Sequence, residues 1–187
     1  MILKKLLLST LLFTGLLSAE SSIGLDINSE DVEVLGTFNL NSTLGYTGGT
    51  SYVIDASYLH NEVDDLFTLG LIGENSLEAA PGLIFGFGIK TAFAEDFMAI
   101  PLLGKVKYIL PFDSDIPTTS LLASFAYAPS VLTFSDGDTY SEFRFEGDVE
   151  VISNIHVFAG YRNIDTDYEF VDYKLNDSWY GGLKLSF

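Results

Sequence analysis

Bulky apolar side chains alternate with small or polar ones, residue by residue, over almost the whole chain after residue 20. Between Gly82 and Phe93, one set of alternate residues is nearly all large and apolar, and the other is mostly small. From Tyr140 to Ile152, charged residues share one parity, and phenylalanine and valine share the other. Successive side chains of a β-strand point to opposite faces, so this pattern predicts two-faced strands. Because no helical spacing of apolar residues is found, the sequence predicts an all-β protein.

The alternating segments number about ten, and turn-forming residues separate them. Connections this short join neighbouring strands as antiparallel hairpins. No linker or longer repeat interrupts the series, which indicates one domain over residues 20–187. The sequence therefore predicts a single antiparallel up-and-down transmembrane β-barrel of about ten strands, or of about eight if the first hairpin is peripheral.

The first 19 residues have the composition of an export signal. Lys4 and Lys5 precede an apolar stretch from Leu6 to Leu17, and the small residues Ser18-Ala19 follow it. This arrangement predicts a secretory signal peptide over residues 1–19 that is cleaved after Ala19. A retained anchor is the alternative, but the apolar stretch is shorter than the roughly 20 residues of a membrane-spanning helix.

Charge and cysteine content exclude several functions. Nine basic residues against 26 acidic ones give a formal net charge of −17 at pH 7. Clustered Lys and Arg bind phosphate backbones, so nucleic acid is excluded as a partner. The chain has no cysteine, which also excludes disulfide scaffolds, thiol catalysis and thiolate metal sites.

The alternation alone leaves open which face of the strands points inward. A soluble barrel hides its apolar face, whereas a membrane barrel turns that face to lipid and lines its lumen with polar groups. Aromatic residues make up 14% of the chain, more bulk than the interior of a small barrel holds, so we expect the apolar face to point outward. A polar face in water is the alternative. It fits less well because the basic residues after the signal, Lys174 among them, all fall on the polar face of a strand, and none falls in a turn.

Charged residues on the polar parity are predicted to pair with one another inside the barrel. Members of this lumen charge network are Lys90, Lys105, Lys107, Arg144, Glu142, Glu146, Glu150, Arg162, Lys184, Glu33 and Asp55. Glycines on the predicted inward parity either leave volume for a narrow passage or relieve crowding. These glycines are Gly86, Gly88, Gly104, Gly160 and Gly182.

The C-terminal segment carries a resemblance to a known family. Phe187 ends a strand in which Trp179, Gly181, Leu183 and Leu185 alternate with smaller or polar residues. This ending resembles the final strand of bacterial outer-membrane barrels, in which a terminal Phe serves as an insertion signal. The stretches GYRNIDTDY (160–168) and DYKLNDSWYGGLKLSF (172–187) resemble the closing hairpin of YfaZ-like outer-membrane proteins.

The resemblance implies a location, a set of partners and an orientation. The location is the outer membrane of a Gram-negative bacterium, and the partners are its lipid, its lipopolysaccharide and the outer-membrane insertion machinery. If Phe187 lies on the periplasmic side, the opposite connections form an outer acidic rim. The acids of this rim are Glu62, Asp64, Asp65, Glu95, Asp96, Asp136, Asp138, Asp165 and Asp167.

Two interpretations of the acidic rim remain open. Loosely bound divalent cations would suit carboxylate oxygens. Alternatively, Asp, Asn and Gly simply make good hairpin turns and keep the rim soluble. The runs Asp136–Asp138 and Asp165–Asp167 lack the loop of an EF-hand, so we predict no dedicated metal site and no cofactor.

The expected function is that of a small integral outer-membrane barrel with no assigned reaction, either structural or a narrow pore. Acids in the lumen would favour cations, and ten strands are too few for a wide channel. An outer-membrane hydrolase or acyltransferase is the first alternative, with His60 as a weak catalytic candidate near Ser57, although no ordered motif supports it. A secreted lipocalin-like carrier is the third possibility.

Overall fold

The computed structural model describes residues 21–45, 47–61, 64–112, 116–135, 137–168 and 171–187, with the backbone alone at 168 and 171–173. The predicted signal peptide (1–19) lies outside these ranges. The strands are β1 (Ser22–Ile27), β2 (Asp31–Asn39), β3 (Ser51–Asn61), β4 (Asp65–Ser76), β5 (Leu83–Ala94), β6 (Phe97–Ala99), β7 (Leu102–Ile109), β8 (Thr119–Ala128), β9 (Thr133–Ser135), β10 (Gly137–Ile152), β11 (Ile155–Tyr168) and β12 (Val171–Ser186).

Ten of these strands form a closed antiparallel wall. Their order is β4-β3-β2-β1-β12-β11-β10-β8-β7-β5, and pairing between β4 and β5 closes the barrel. The short strands β6 and β9 pair with each other and extend the sheet from β5. The predicted ten-strand all-β barrel is thereby confirmed. The first hairpin is part of the wall, so the eight-strand alternative is wrong.

Helical structure is limited to two short turns among the described residues. A four-residue helix, α1 (Asn41–Leu44), lies between β2 and β3, and a 3₁₀ turn (Ser130–Leu132) precedes β9. Within the described part of the chain, no helix has the length and apolar character needed to cross a membrane.

The polarity of the wall is the reverse of that of a soluble protein. Large apolar side chains point outward, and Phe87 and Trp179 are 74% and 73% exposed. Charged side chains point inward, and Arg162 and Asp26 are fully buried. An exterior of this kind is stabilised by hydrocarbon rather than by water, because burying apolar surface is favourable and burying isolated charge is not.

An apolar cluster fills the barrel at the end away from Ser21 and Phe187. Phe97, on β6, belongs to this cluster, and the centroid of its ring lies 5.8 Å from that of Tyr140. We call this cluster the apolar plug, and its buried members are Leu59, Leu66, Ala92, Phe97, Ala99, Ala126, Ala128, Tyr140, Ile164 and Leu175.

Glycines inside the wall make room for rings and for neighbouring backbone. Gly182 lies opposite Phe158 in the register of β11 and β12, and Gly160 lies opposite Tyr180. A Cβ atom on Gly182 would lie 2.3 Å from the carbonyl oxygen of Leu25 and 2.5 Å from the Phe158 ring. These glycines therefore relieve crowding. Gly104 does not point inward as predicted, because its neighbours on β7 are the residues that line the interior.

Gly182→Ala is expected to lower the free energy of unfolding by about 1–3 kcal/mol, because the new methyl group meets backbone that has to move. The matched control is Gly181→Ala, whose Cβ would meet nothing closer than 3.7 Å. We expect that variant to stay within about 0.5 kcal/mol of the original chain. Guanidinium unfolding in detergent, followed by circular dichroism, measures both. Equal effects of the two substitutions would contradict the crowding argument.

Candidate functional site

Arg162 is the centre of a buried charge cluster next to the apolar plug. Its guanidinium donates to Glu33 and, at 2.7 Å, to Asp31, and its Nη1 lies 3.5 Å from Asp26. Its Nε donates to the side-chain oxygen of Asn176 at 3.1 Å. Three carboxylates from the β1–β2 hairpin thus surround one arginine from β11, which ties this hairpin to a strand on the far side of β12.

A second arginine completes the cluster. Arg144 donates from Nη2 to both carboxylate oxygens of Glu33, at 2.9 Å each. The ring of Tyr180 faces both guanidinium groups, with centroid distances of 5.5 Å to Arg144 and 5.1 Å to Arg162. Charge-assisted bonds and ring stacking together compensate the desolvation of these groups. We call Arg162, Arg144, Glu33, Asp31 and Asp26 the central charge cluster.

Asp26 is the least satisfied member of the central charge cluster. Neither of its carboxylate oxygens accepts a hydrogen bond from a described residue. Its neighbours in register are Glu33 on β2 and Gly182 on β12, so neither adjacent strand supplies a donor side chain at that level. Its ion pair with Arg162 is therefore the contact that holds it.

Glu142 links the central charge cluster to the apolar plug, because its carboxylate lies 3.9 Å from Arg144. Lys90 on β5 donates to Glu142 on β10, and the hydroxyl of Tyr140 donates to the same carboxylate at 2.7 Å. Because Tyr140 is also a member of the plug, this contact joins the polar and apolar layers of the interior.

Toward the end at Ser21 and Phe187, the interior charges form two further groups. Lys105 on β7 lies 3.0 Å from Glu74 and 3.4 Å from Asp55. Lys184 on β12 lies 3.0 Å from Glu146 and 3.3 Å from Asp148. In the second group, Nδ1 of His156 lies 2.7 Å from Asp148, and the ammonium of Lys184 lies 4.7 Å from the centroid of the Phe158 ring.

The same half of the barrel contains a cavity of about 400 Å³. Charged side chains line it, including Lys105, Lys107 and Lys184, together with neutral polar and aliphatic side chains. The cavity therefore offers both polar and apolar contacts to a small molecule.

Two charged residues, Glu150 and Lys174, do not lie where the sequence predicted them. Glu150 accepts a hydrogen bond from the backbone N–H of Asn154, 3.0 Å away, and so belongs to the β10–β11 turn rather than to the ion-pair network. Lys174 is exposed and pairs with Asp177 at 2.7 Å. A register shift near Leu175 explains the exposure of Lys174. The residues of β12 before Leu175 have the opposite inward parity to the residues after it.

Sequence reasoning missed several interior groups. Asp31 is absent from the predicted lumen charge network, although it shares the parity of Glu33 and lies buried beside Arg162. Tyr140, Tyr180 and Asn176 also bond to the buried charges. The parity of Asp31 was a usable signal, whereas nothing in the sequence marks the tyrosines as partners of particular acids.

The predicted rim acids do not form one site. Asp64, Asp65, Glu95, Asp96 and Asp138 are exposed or half-buried at the barrel end with the plug, as are Asp165 and Asp167, whereas Glu62 and Asp136 lie outside the described residues. In the parts of the chain that are described, no three acids or histidines gather as metal ligands. Cation binding at the rim remains a prediction.

The side chain of His60 does not contact Ser57, the residue near which it was predicted to act. Its Nδ1 lies 2.6 Å from Asp65, which also accepts a hydrogen bond from the hydroxyl of Tyr58 at 2.7 Å. The hydrogen bond with His60, and then that from Tyr58, holds the pKa of the Asp65 carboxyl below its ordinary value. Ser57 instead bonds to Thr68 inside the barrel, 2.9 Å away. His60 and Ser57 lie on opposite faces of β3, so they form no catalytic pair.

Phe187 lies at the seam between the first and last strands of the wall. Its backbone N–H donates to the carbonyl oxygen of Ser21 at 2.9 Å, next to the paired strands β1 and β12. Its role as an insertion signal remains a prediction.

A closed antiparallel wall, apolar outside and charged inside, defines a β-barrel of the outer-membrane type. Residues 104–187 match the protein family described as YfaZ precursor. The resemblance predicted from the closing hairpin is thereby confirmed, and the chain is YfaZ-like over these residues.

The fold is also similar to a solved structure. That structure is described as a bacterial polysaccharide outer membrane secretin, with a TM-score of 0.50 and 11% sequence identity. The similarity covers 89% of this chain and 68% of the other. At this identity the likeness concerns the barrel fold alone. No curated protein matches the sequence.

Proposed function

We propose that this protein is a structural barrel of the bacterial outer membrane whose lumen is closed to ions and which catalyses no reaction. The observation that carries the proposal is the apolar plug, whose buried members span the interior from β3 to β12. Ions cross apolar, dehydrated constrictions poorly because they lose their hydration without gaining polar contacts.

The central charge cluster supports a closed lumen as well. Both arginines of the cluster are held by carboxylates, and Arg162 is fully buried. A passing ion would have to separate these pairs, which is costly for buried charges. Barrels of about ten strands are filled by side chains, whereas open aqueous channels are found in barrels of about sixteen. Of the two forms expected from sequence, the structural one therefore fits better than the cation-preferring pore.

The exterior argues against the soluble carrier. Apolar side chains such as Phe87, Leu102 and Trp179 are all more than half exposed, and they recur around the wall. A contiguous apolar band of this kind indicates contact with a membrane. The outer-membrane location also draws on the family match of residues 104–187.

Purified protein in a planar lipid bilayer is expected to give no current steps above the leak, with a sixteen-stranded porin as the positive control. The same preparation should need detergent and should change its migration on an SDS gel after boiling. Discrete, reproducible channel events would contradict the closed lumen. A detergent-independent, heat-insensitive preparation would contradict the membrane barrel itself.

A further inference from the structure

The central charge cluster contains more carboxyl groups than arginines. Its acids are Asp26, Asp31 and Glu33, its bases are Arg144 and Arg162, and all five side chains are buried. If every acid were ionised, the cluster would carry an unbalanced negative charge inside the barrel. An unbalanced charge in a dry interior is costly, and a buried carboxyl group avoids that cost by taking up a proton.

The hydrogen bonds identify Asp26 as the acid that takes up this proton. Asp31 accepts from Arg162 at 2.7 Å and from the side-chain amide of Asn176 at 2.6 Å, and Glu33 accepts from both arginines. Asp26 is fully buried, and its oxygens accept from no residue that the structure describes. Because hydrogen-bond donors stabilise the ionised form of a carboxyl group, the acid without donors is the easiest one to neutralise.

The neighbour of Asp26 on β2 is an acceptor for the proton. Asp26 lies opposite Glu33 in the register of β1 and β2, and the two carboxyl groups are in hydrogen-bonding contact. Two ionised carboxylates in this position would repel each other, whereas a protonated one donates its O–H to the other. Protonation keeps the 3.5 Å contact between Asp26 and Nη1 of Arg162, as a contact between a cation and a polar group.

The strands around Asp26 supply no other donor to it. Its neighbour on β12 is Gly182, which has no side chain. The titratable and charged groups around it are Glu33 and Asp31 on β2, Tyr180 on β12, Arg162 on β11 and Arg144 on β10. The hydroxyl of Tyr180 donates to Glu146, and the guanidinium groups donate to Asp31 and Glu33. A proton taken from water therefore satisfies Asp26 where these side chains do not.

We propose that Asp26 is a proton-binding site, which is a neutral carboxylic acid at neutral pH and donates its hydrogen to Glu33. Release of this proton leaves two repelling carboxylates on adjacent strands, next to the six residue pairs that join β1 to β12. The site therefore makes the attachment of the first hairpin dependent on pH. The inference goes beyond the closed structural barrel and does not rest on it, because a conducting barrel could hold the same proton.

Infrared spectroscopy detects the proton directly, because a protonated carboxyl group has a C=O stretching band separate from the bands of a carboxylate. The folded barrel is measured at neutral pH in a detergent that has no carbonyl group. The original chain should show the acid band, and Asp26→Asn should lose it. Asp177→Asn is the matched control, since Asp177 is exposed and pairs with Lys174, and this variant should keep the band.

The pH dependence of unfolding is a second measurement. Asparagine has the shape of the neutral acid and can donate an N–H to Glu33, so Asp26→Asn should be at least as stable as the original chain at neutral pH. From mildly acidic pH upward, the unfolded chain releases the proton that the folded barrel keeps. The unfolding constant of the original chain should therefore rise relative to that of Asp26→Asn by up to about tenfold per pH unit, until the folded barrel also releases the proton.

Four results would each overturn the proposal. They are the absence of an acid band that Asp26→Asn removes, equal loss of the band in Asp177→Asn, a lower stability of Asp26→Asn at neutral pH, and a ratio of unfolding constants that does not change with pH. A lower stability of Asp26→Asn would show an ionised Asp26 that depends on Arg162. None of these results bears on the bilayer experiment, so the two proposals fail separately.

Discussion

Arg162→Met is expected to lower the free energy of unfolding by about 3–5 kcal/mol, the usual cost of removing one partner from a buried ion pair. Methionine keeps most of the side-chain volume, so the loss reports on charge rather than on a cavity. Asp26, Asp31 and Glu33 would remain buried, and only Glu33 would keep an arginine. Guanidinium unfolding in detergent, followed by the fluorescence of the single Trp179, gives the value.

Two controls separate this effect from a general loss of positive charge. Lys174→Met removes an exposed ion pair and should cost no more than about 1 kcal/mol. Adding Asp31→Asn to Arg162→Met should recover part of the loss, because one uncompensated carboxylate disappears. If the second substitution instead adds its own full cost, the two residues are not coupled and the account of the cluster is wrong.

Phe97→Ala is expected to lower the free energy of unfolding by about 3–5 kcal/mol, since it leaves a cavity in the apolar plug. Phe97 is 2% exposed, and its ring occupies the space above Gly137, where a Cβ would lie only 2.5 Å from it. Hydrogen exchange should also become faster in β6 and β9, which the ring ties to the barrel.

The control for this prediction is Phe134→Ala on the adjoining strand β9. Phe134 is 45% exposed, so its removal leaves no enclosed space and should cost clearly less. The same denaturant titration compares the two variants. Similar losses for both rings, or a faster exchange confined to the opposite end of the barrel, would show that Phe97 does not hold the plug together.

The alternation of side chains was sufficient to predict the barrel, because each strand repeats the same two-faced pattern. It was not sufficient where the backbone departs from that pattern. The shift near Leu175 reverses the parity of β12, so Lys174 is exposed although its spacing from Lys184 indicated the interior. Irregular pairing of this kind depends on the neighbouring strand, and one strand's sequence does not reveal it.

Which interior charged residues pair with one another could not be predicted from the sequence either. Glu33 on β2 meets Arg144 and Arg162, which lie more than a hundred residues away along the chain. Parity places all three side chains inside the barrel. The tilt of the strands decides which residues of different strands lie at the same height along the barrel axis, and therefore which side chains can make contact. The apolar plug has the same origin, because Phe97 lies in a three-residue strand that carries too little pattern to be recognised.

The seam between β1 and β12 rests on six residue pairs, from Ser22–Ser186 to Ile27–Gly181, whereas β11 and β12 share fourteen. The wall closes only when β1 pairs with β12, so a sheet that has not yet closed has two unpaired edges at these strands. Before closure, the unpaired edge of β1 can pair with a strand of another chain. Any factor that guards these edges during assembly would have to leave at this short junction.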